Sequence, residues 1–312
     1  MTSVAIVGTG RMGSALARAI HRAGFDLCVH NRTRDRAAIL ATQVGCRIAD
    51  TPADAAAADV VITMLADDAA VRATYEGPDG LLAGAHDGGV LVDMSTVRPD
   101  TIRAFEAAAR GAGSGILDAP VSGSVHLAEA GTLTLMVGGD AADLERARPV
   151  LEAVSKSIFH VGPLGTGAAM KLAVNTVIFG LNGALAEGLV LAESAGIDRA
   201  LAYDVIATGA AGAPYVGYKR AAFLEPEATP VAFSLDLTDK DLGLIEDLGA
   251  ALGVELPQTA ANRALVRESS RDGRGSKDLA SVAAELRSRR ATRSRSATPM
   301  PVIAGSPGEG PT

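Results

Sequence analysis

The 312 residues are 48% hydrophobic and 21% charged, the composition of a globular chain long enough for about two domains. Lys and Arg total 29 against 36 Asp and Glu, a net charge of −7, which argues against a binder of duplex nucleic acid. Aromatics at 3%, with no Trp, argue against a stacking platform for single strands, and two cysteines, Cys28 and Cys46, are too few for a disulfide framework.

The opening MTSVAIVGTG has a short apolar run with no basic segment before it and no cleavage site, so it reads as a strand and not as a secretion signal. Residues 3–7, 26–30, 59–64, 90–93, 116–121 and 133–137 follow as predicted strands, and 157–161 closes the series. Ala-rich helical runs separate them, the first over 11–23. Strands without polar alternation, spaced by helices, predict a parallel sheet covered on both faces.

After Gly162 the pattern changes. A single helix is predicted over 167–195, about 45 Å long at 1.5 Å per residue. Gly180, Gly183 and Gly188 each weaken it by about 1 kcal/mol, which predicts compensation by close approach of another helix. Its most apolar stretch, 172–186, contains Asn175 and Asn182 and spans 15 residues, short of a membrane crossing. Further helices are predicted at 198–208, 238–252, 257–270 and 277–288. The expected fold is α/β: a doubly wound parallel-sheet Rossmann domain over 1–162, then an all-α domain over 163–287 for substrate and dimer contacts. Residues 288–312, rich in Arg, Ser and Pro, read as a disordered tail that is either plain solvated chain or an electrostatic contact for a partner. The expected location is the cytoplasm, with no membrane partner.

Gly8-Thr9-Gly10-Arg11-Met12-Gly13 is a G-x-G-x-x-G loop between a strand and a helix, the context that a dinucleotide site requires. Gly8 allows the tight turn, Gly10 lets the backbone approach a pyrophosphate, and Gly13 lets the helix pack on the strand. The acid that would bind an NAD ribose is replaced by Asn31, followed by Arg32 and Thr33. A guanidinium and a hydroxyl suit a 2′-phosphate, so NADP(H) is the expected cofactor, with NAD a second option. The competing reading is that Arg32, Arg34 and Arg36 only solvate the start of a helix.

Lys171 and Asn175 are four apart, so they share one face of the long helix and interrupt its apolar surface. A buried lysine tends toward a lowered pKa and suits a proton donor to a carbonyl oxygen. Asn175 offers a donor and an acceptor to a substrate hydroxyl or carboxylate. The histidines are scattered and no metal-ligand spacing occurs, so no metal site is expected.

Taken together, GTGRMG, the NRT turn (31–33), MLADD (64–68), DMST (93–96), DAPVSGS (118–124), AEAGTLTLMVGG (128–139), GTGAAMKLAVN (165–175), DKDL (239–242) and GRGSKD (273–278) resemble the β-hydroxyacid dehydrogenase family over about residues 3–285. This family includes 3-hydroxyisobutyrate dehydrogenases and glyoxylate/succinic semialdehyde and tartronate semialdehyde reductases. The resemblance implies that Lys171 is the general acid/base, that Ser122 and Gly123 grip the substrate carboxylate, and that Asn175 helps position it. It places Leu65, Thr96 and Lys240 near the nicotinamide, with Lys240 also near the substrate, and Arg11 and Met12 in the cofactor loop. Relatives typically assemble through the helical domain, which agrees with a long apolar helix that one small domain cannot cover, so a homodimer or larger oligomer is expected.

The departures narrow the choice. A histidine precedes the asparagine in 6-phosphogluconate dehydrogenases, where this chain has Val174. Imine reductases usually place Asp or Tyr where this chain has Lys171. The leading expectation is an NADPH-dependent reductase of small carboxylate-bearing aldehydes. The alternatives are an imine reductase of the same fold and a non-catalytic NADP-binding scaffold.

Overall fold

The computed structural model describes residues 2–296, with side chains through Arg290. Its strands are β1 (Ser3–Val7), β2 (Asp26–His30), β3 (Arg47–Ile48), β4 (Val60–Thr63), β5 (Val90–Asp93), β6 (Gly115–Asp118), β7 (Val121–Ser122), β8 (Leu133–Gly139) and β9 (Ser155–Gly162). They form one sheet in the order β3-β2-β1-β4-β5-β6-β8-β7, with β9 paired to β8.

From β3 to β6 every pairing is parallel. The predicted parallel sheet changes sense at its far edge, where β8 runs antiparallel to β6 and β7, while β9 runs parallel to β8. β4, β5 and β6 are buried along their whole length, because helices cover both faces. These are α1 (Arg11–Arg22), α2 (Arg34–Val44), α3 (Pro52–Ala55), α4 (Asp68–Tyr75), α5 (Leu81–Gly84), α6 (Pro99–Arg103), α7 (Glu106–Gly111), α8 (Val125–Glu129) and α9 (Ala141–Glu152). Two apolar clusters result, one on each face of the sheet.

Helices follow: α10 (Thr166–Ser194), α11 (Arg199–Thr208), α12 (Pro214–Leu224), α13 (Leu235–Leu252), α14 (Pro257–Ser269) and α15 (Val282–Ser296). They enclose a third cluster that contains Leu172, Phe179, Leu185 and Leu189 of α10. α10 has 29 residues, so its length and composition alone would let it cross a membrane. Residues 172–186 alone thus understate the apolar length of this helix. Here α10 is the central helix of its domain, packed against α11, α13, α14 and α15.

A Cβ on Gly183 would lie 2.5 Å from Asn262 Oδ1 of α14, and one on Gly188 would lie 3.8 Å from Ile206 of α11. Close helix approach within the same chain therefore compensates Gly183, while Gly188 makes only an ordinary contact. Gly180 meets nothing and faces outward. α12 was not predicted. α15 runs on past Ser288, where the sequence reading begins the tail. Residues 297–312, the rest of that segment, lie outside the described residues.

Candidate active site

The glycine loop stands between β1 and α1. Gly8 has φ +101°, and a Cβ there would lie 2.3 Å from Met64 O. A Cβ on Gly13 would lie 1.9 Å from Gly8 O, whereas one on Gly10 would point into open space. This is the cradle a dinucleotide needs: packed where helix meets strand, empty where a pyrophosphate lies. No side chain caps the first turn of α1, so its N–H groups are free for phosphate. Thr9 Oγ1 is buried without a partner among the described residues, as expected where a bound group completes the site. An adjoining groove is lined by Thr9, Gly10, Ser14, Arg18 and Arg36, and Arg36 is a cation the sequence reading had set aside.

Asn31 braces this loop from the end of β2. Its Oδ1 accepts from Thr9 N at 3.1 Å and its Nδ2 donates to Thr33 O at 3.0 Å. Arg32 and Thr33 are exposed. Arg34 is committed to Asp50, so Arg32 is the cation beside Asn31 that remains available. The Arg11 guanidinium turns away from the loop and donates to Val231 O in the helical domain.

Two loops at the ends of β4 and β5 are tied together behind Gly8. Buried Asp93 accepts from Ser95 N at 3.0 Å, from Ser95 Oγ at 3.1 Å and from Thr63 Oγ1. Ser95 Oγ in turn accepts from Leu65 N at 2.9 Å. Burial pushes the Asp93 carboxyl up to about 7 against these donors. Lys240 of α13 reaches the same loops, donating to Thr96 O at 2.8 Å and Ala66 O at 3.1 Å. Leu65, Thr96 and Lys240 are thus held in one place. The Lys240 ammonium is engaged by these carbonyls and by Asp241, whose carboxylate lies 2.8 Å away.

α10 is set by Asp118 at the end of β6. Its carboxylate accepts from Gly165 N at 2.8 Å and Ala168 N at 2.6 Å, at the helix N-terminus. Burial raises the Asp118 pKa to about 6 despite those amides. A Cβ on Gly167 would lie 2.4 Å from Met136 O, so glycine lets the helix start against the sheet. One turn later Lys171 emerges into a cavity of about 470 Å³.

That cavity brings together Arg11, Met12, Thr96, Ser122, Gly123, Lys171 and Asn175 from the sequence reading. It adds Asp241, Phe233, Tyr215, Tyr218 and Lys219. Asp241 is the main omission. It is 1% exposed, accepts from Asn175 Nδ2 at 2.9 Å and sits 2.8 Å from Lys240 Nζ. Burial lowers the Lys171 pKa to about 8, with Asp241 opposing the fall and Lys240 adding to it. Burial raises the Asp241 carboxyl, against the pull of Lys240, Lys171 and Asn175. The signal for Asp241 was its place beside Lys240 in DKDL. A protonatable amine of lowered pKa, facing hydroxyl, amide and backbone donors, is equipped to bind a small oxyacid and exchange a proton with it.

A profile described as the NAD binding domain of 6-phosphogluconate dehydrogenase matches residues 3–162. One described as the NAD-binding domain of NADP-dependent 3-hydroxyisobutyrate dehydrogenase matches residues 165–286. The NAD-dependent L-serine dehydrogenase of Pseudomonas aeruginosa is 34% identical over 90% of this chain and 97% of its own length. Glyoxylate/succinic semialdehyde reductase 2 of Arabidopsis thaliana is 32% identical over 91% of this chain and 79% of its own. The structure of Mycobacterium tuberculosis 3-hydroxyisobutyrate dehydrogenase with L-serine superposes with a TM-score of 0.78 at 34% identity, covering 92% and 99% of the two chains. An imine reductase from a Pseudomonas species shares the fold alone, at 22% identity and a TM-score of 0.61. Profile, relatives and fold agree that this chain belongs to the β-hydroxyacid dehydrogenase family of NAD(P)-binding oxidoreductases.

Proposed function

We propose that this protein reduces a small aldehyde bearing a carboxylate to the corresponding hydroxy acid, with NADPH as the preferred cofactor and Lys171 as the proton donor. The observation that carries this reading is Lys171, half-buried by surface and lowered to about 8 by desolvation, in one cavity with Ser122, Gly123 and Asn175. In this reading the amides of the α1 N-terminus hold the pyrophosphate, and Asn31, Arg32 and Thr33 surround the ribose phosphate. Bound NADPH supplies a hydride. Ser122 and Gly123 receive the substrate carboxylate. Asn175, fixed by Asp241, presents its remaining amide groups to the substrate. The Lys171 ammonium gives its proton to the carbonyl oxygen as the carbonyl is reduced, and in the reverse direction the neutral amine takes the proton back. The cavity, about 470 Å³, falls in the size range of small-molecule sites.

The test is NADPH consumption with glyoxylate, succinic semialdehyde, methylmalonate semialdehyde and a cyclic imine. Turnover of at least one aldehyde acid and none of the imine is expected. Reduction of the imine alone would overturn the reading, and absence of any NADPH binding would remove the cofactor.

We also propose a homodimer. α10 leaves Ala173, Val177, Ala184 and Leu191 exposed on one face, with Val177 at 63% and Leu191 at 73%. Leu201 and Val205 of α11, 58% and 64% exposed, add to the uncovered apolar surface, and a second copy of the chain would bury these side chains. Light scattering at micromolar concentration should give twice 31.6 kDa. The monomer mass would refute the dimer.

A further inference from the structure

The cavity has a second polar end, away from Lys171. Residues 171, 175, 178 and 179 line one wall, so the space runs along α10. Buried Asn182 lies one helical turn past Ile178, just beyond that wall. It ties down two further walls, accepting from Tyr215 OH at 2.8 Å and donating to Leu279 O at 3.2 Å. Asp278 precedes Leu279, and its Oδ1 accepts from Lys219 Nζ at 2.6 Å. Lys219 sits one turn beyond Tyr215 on α12 and also lines the cavity.

Lys219 is 3% exposed. Its ammonium has three N–H donors, and Asp278 is the acceptor found for it among the described residues. Asp278 is fully engaged: it also accepts from Ala280 N at 3.0 Å, Ala232 N at 2.9 Å and Phe233 N at 3.3 Å. Burial works against its carboxylate, but Lys219 and these amides outweigh burial and hold the pKa below the ordinary value. The aspartate is therefore fixed, and Lys219 keeps donors to spare. Tyr218 lines the same end at its open side, 51% exposed, and its hydroxyl has no hydrogen bond among the described residues. Around them Ile178, Phe179 and Phe233 are apolar, and the two phenyl rings stack at 6.2 Å. The unspent donors of buried Lys219 in this apolar enclosure cost free energy until a ligand meets them.

Charge decides what that ligand is. Lys219 and Asp278 together carry no net charge. A second carboxylate would be buried beside Asp278 with no counter-charge of its own. A hydroxyl or carbonyl oxygen takes an N–H from Lys219 without that cost, and Tyr218 can donate to it as well. We infer that Lys219 and Tyr218 form a distal recognition point for an uncharged hydroxyl or carbonyl oxygen at the end of the substrate remote from the reacting group. The substrate class is then a monocarboxylate with a neutral oxygen function at its far end. This rests on the proposed placement of the reacting end at Ser122 and Lys171.

Calorimetric titration of the full chain, loaded with NADP⁺, tests it with three matched acids: hexanoate, 5-hydroxypentanoate and glutarate. The hydroxy acid should bind about tenfold more tightly than hexanoate, as one hydrogen bond to a charged donor allows, and glutarate should gain nothing over hexanoate. The preference should vanish in Lys219→Met combined with Asp278→Asn, which leaves no buried charge unpaired, and shrink about threefold in Tyr218→Phe. Equal binding of hexanoate and the hydroxy acid by the unaltered protein would overturn the inference, as would tightest binding of glutarate. Glyoxylate turnover reads the proposed reaction separately. Turnover without the hydroxyl preference sinks only the distal point, and the preference without turnover sinks only the reaction.

Discussion

At the cofactor end the working groups are backbone, while at the substrate end they are side chains. The glycine loop binds by leaving space: an open position at Gly10, tight packing at Gly8 and Gly13, and uncapped amides at the start of α1. In the proposed reading the substrate end depends on Lys171 and Asn175 in one cavity, with Asp241 bonded to Asn175 and Lys240. The first kind of site is indifferent to most side chains and is exposed to salt and solvent. The second concentrates its chemistry in a few buried charges, where one substitution removes a function and low dielectric magnifies each neighbour.

The comparison is broken most sharply at Lys171. Lys171→Ala should keep NADPH binding and lose turnover by at least about 100-fold, within the ~10²–10⁴ that a general acid contributes. Fluorescence titration with NADPH and steady-state rates separate the two readouts, and near-normal turnover in a folded variant would remove Lys171 from the chemistry. At the other end, Arg32→Ala should weaken NADPH by roughly 1.5–3 kcal/mol, the value of a charge-assisted bond, and leave NADH nearly unchanged. Equal losses for both cofactors would move the 2′-phosphate contact elsewhere, with Arg36 the next cation to test.

Asp241→Asn sharpens the substrate end further. Asp241 is the group that holds the Lys171 pKa up against burial. Its loss should drive that pKa further down, so the alkaline fall in aldehyde reduction moves below pH 8, with a several-fold loss at neutral pH. An unmoved pH profile would mean that Asp241 does not act through Lys171. The smallest effect is expected at Arg98, which bridges the domains to Asp247 at 2.6 Å with both side chains about half exposed. Arg98→Ala should change the unfolding free energy by less than about 1 kcal/mol, as exposed pairs do, measured by urea denaturation.

The sequence made the backbone site legible because a glycine loop, its strand and its helix are contiguous. Lys171 and Asn175 were legible for the same reason, being one helical turn apart. Asp241 was harder to read. Its partners Lys171 and Asn175 are far back in the chain, and in DKDL it looks like any acid at a helix start. The reversal of β8 was hidden because α8 stands between β7 and β8 and imitates a parallel crossover. α12 is hard to read because its segment begins at Pro214, directly after Gly212 and Ala213, and carries weak periodicity. The Arg11 side chain sat in the motif but turned to Val231, over two hundred residues away, a contact no local pattern records.

The central claim is that a lysine of lowered pKa donates the proton. The direct measurement is the pH dependence of aldehyde reduction by the unaltered enzyme with saturating NADPH. Reduction needs the ammonium, so the rate should be level below pH 8 and fall about tenfold per pH unit above it. Oxidation of the hydroxy acid needs the neutral amine, so it should rise through the same pH and level off. A reduction rate that stays flat to pH 10 would contradict the account, because Lys171, placed at about 8 by its burial, would by then have lost its proton.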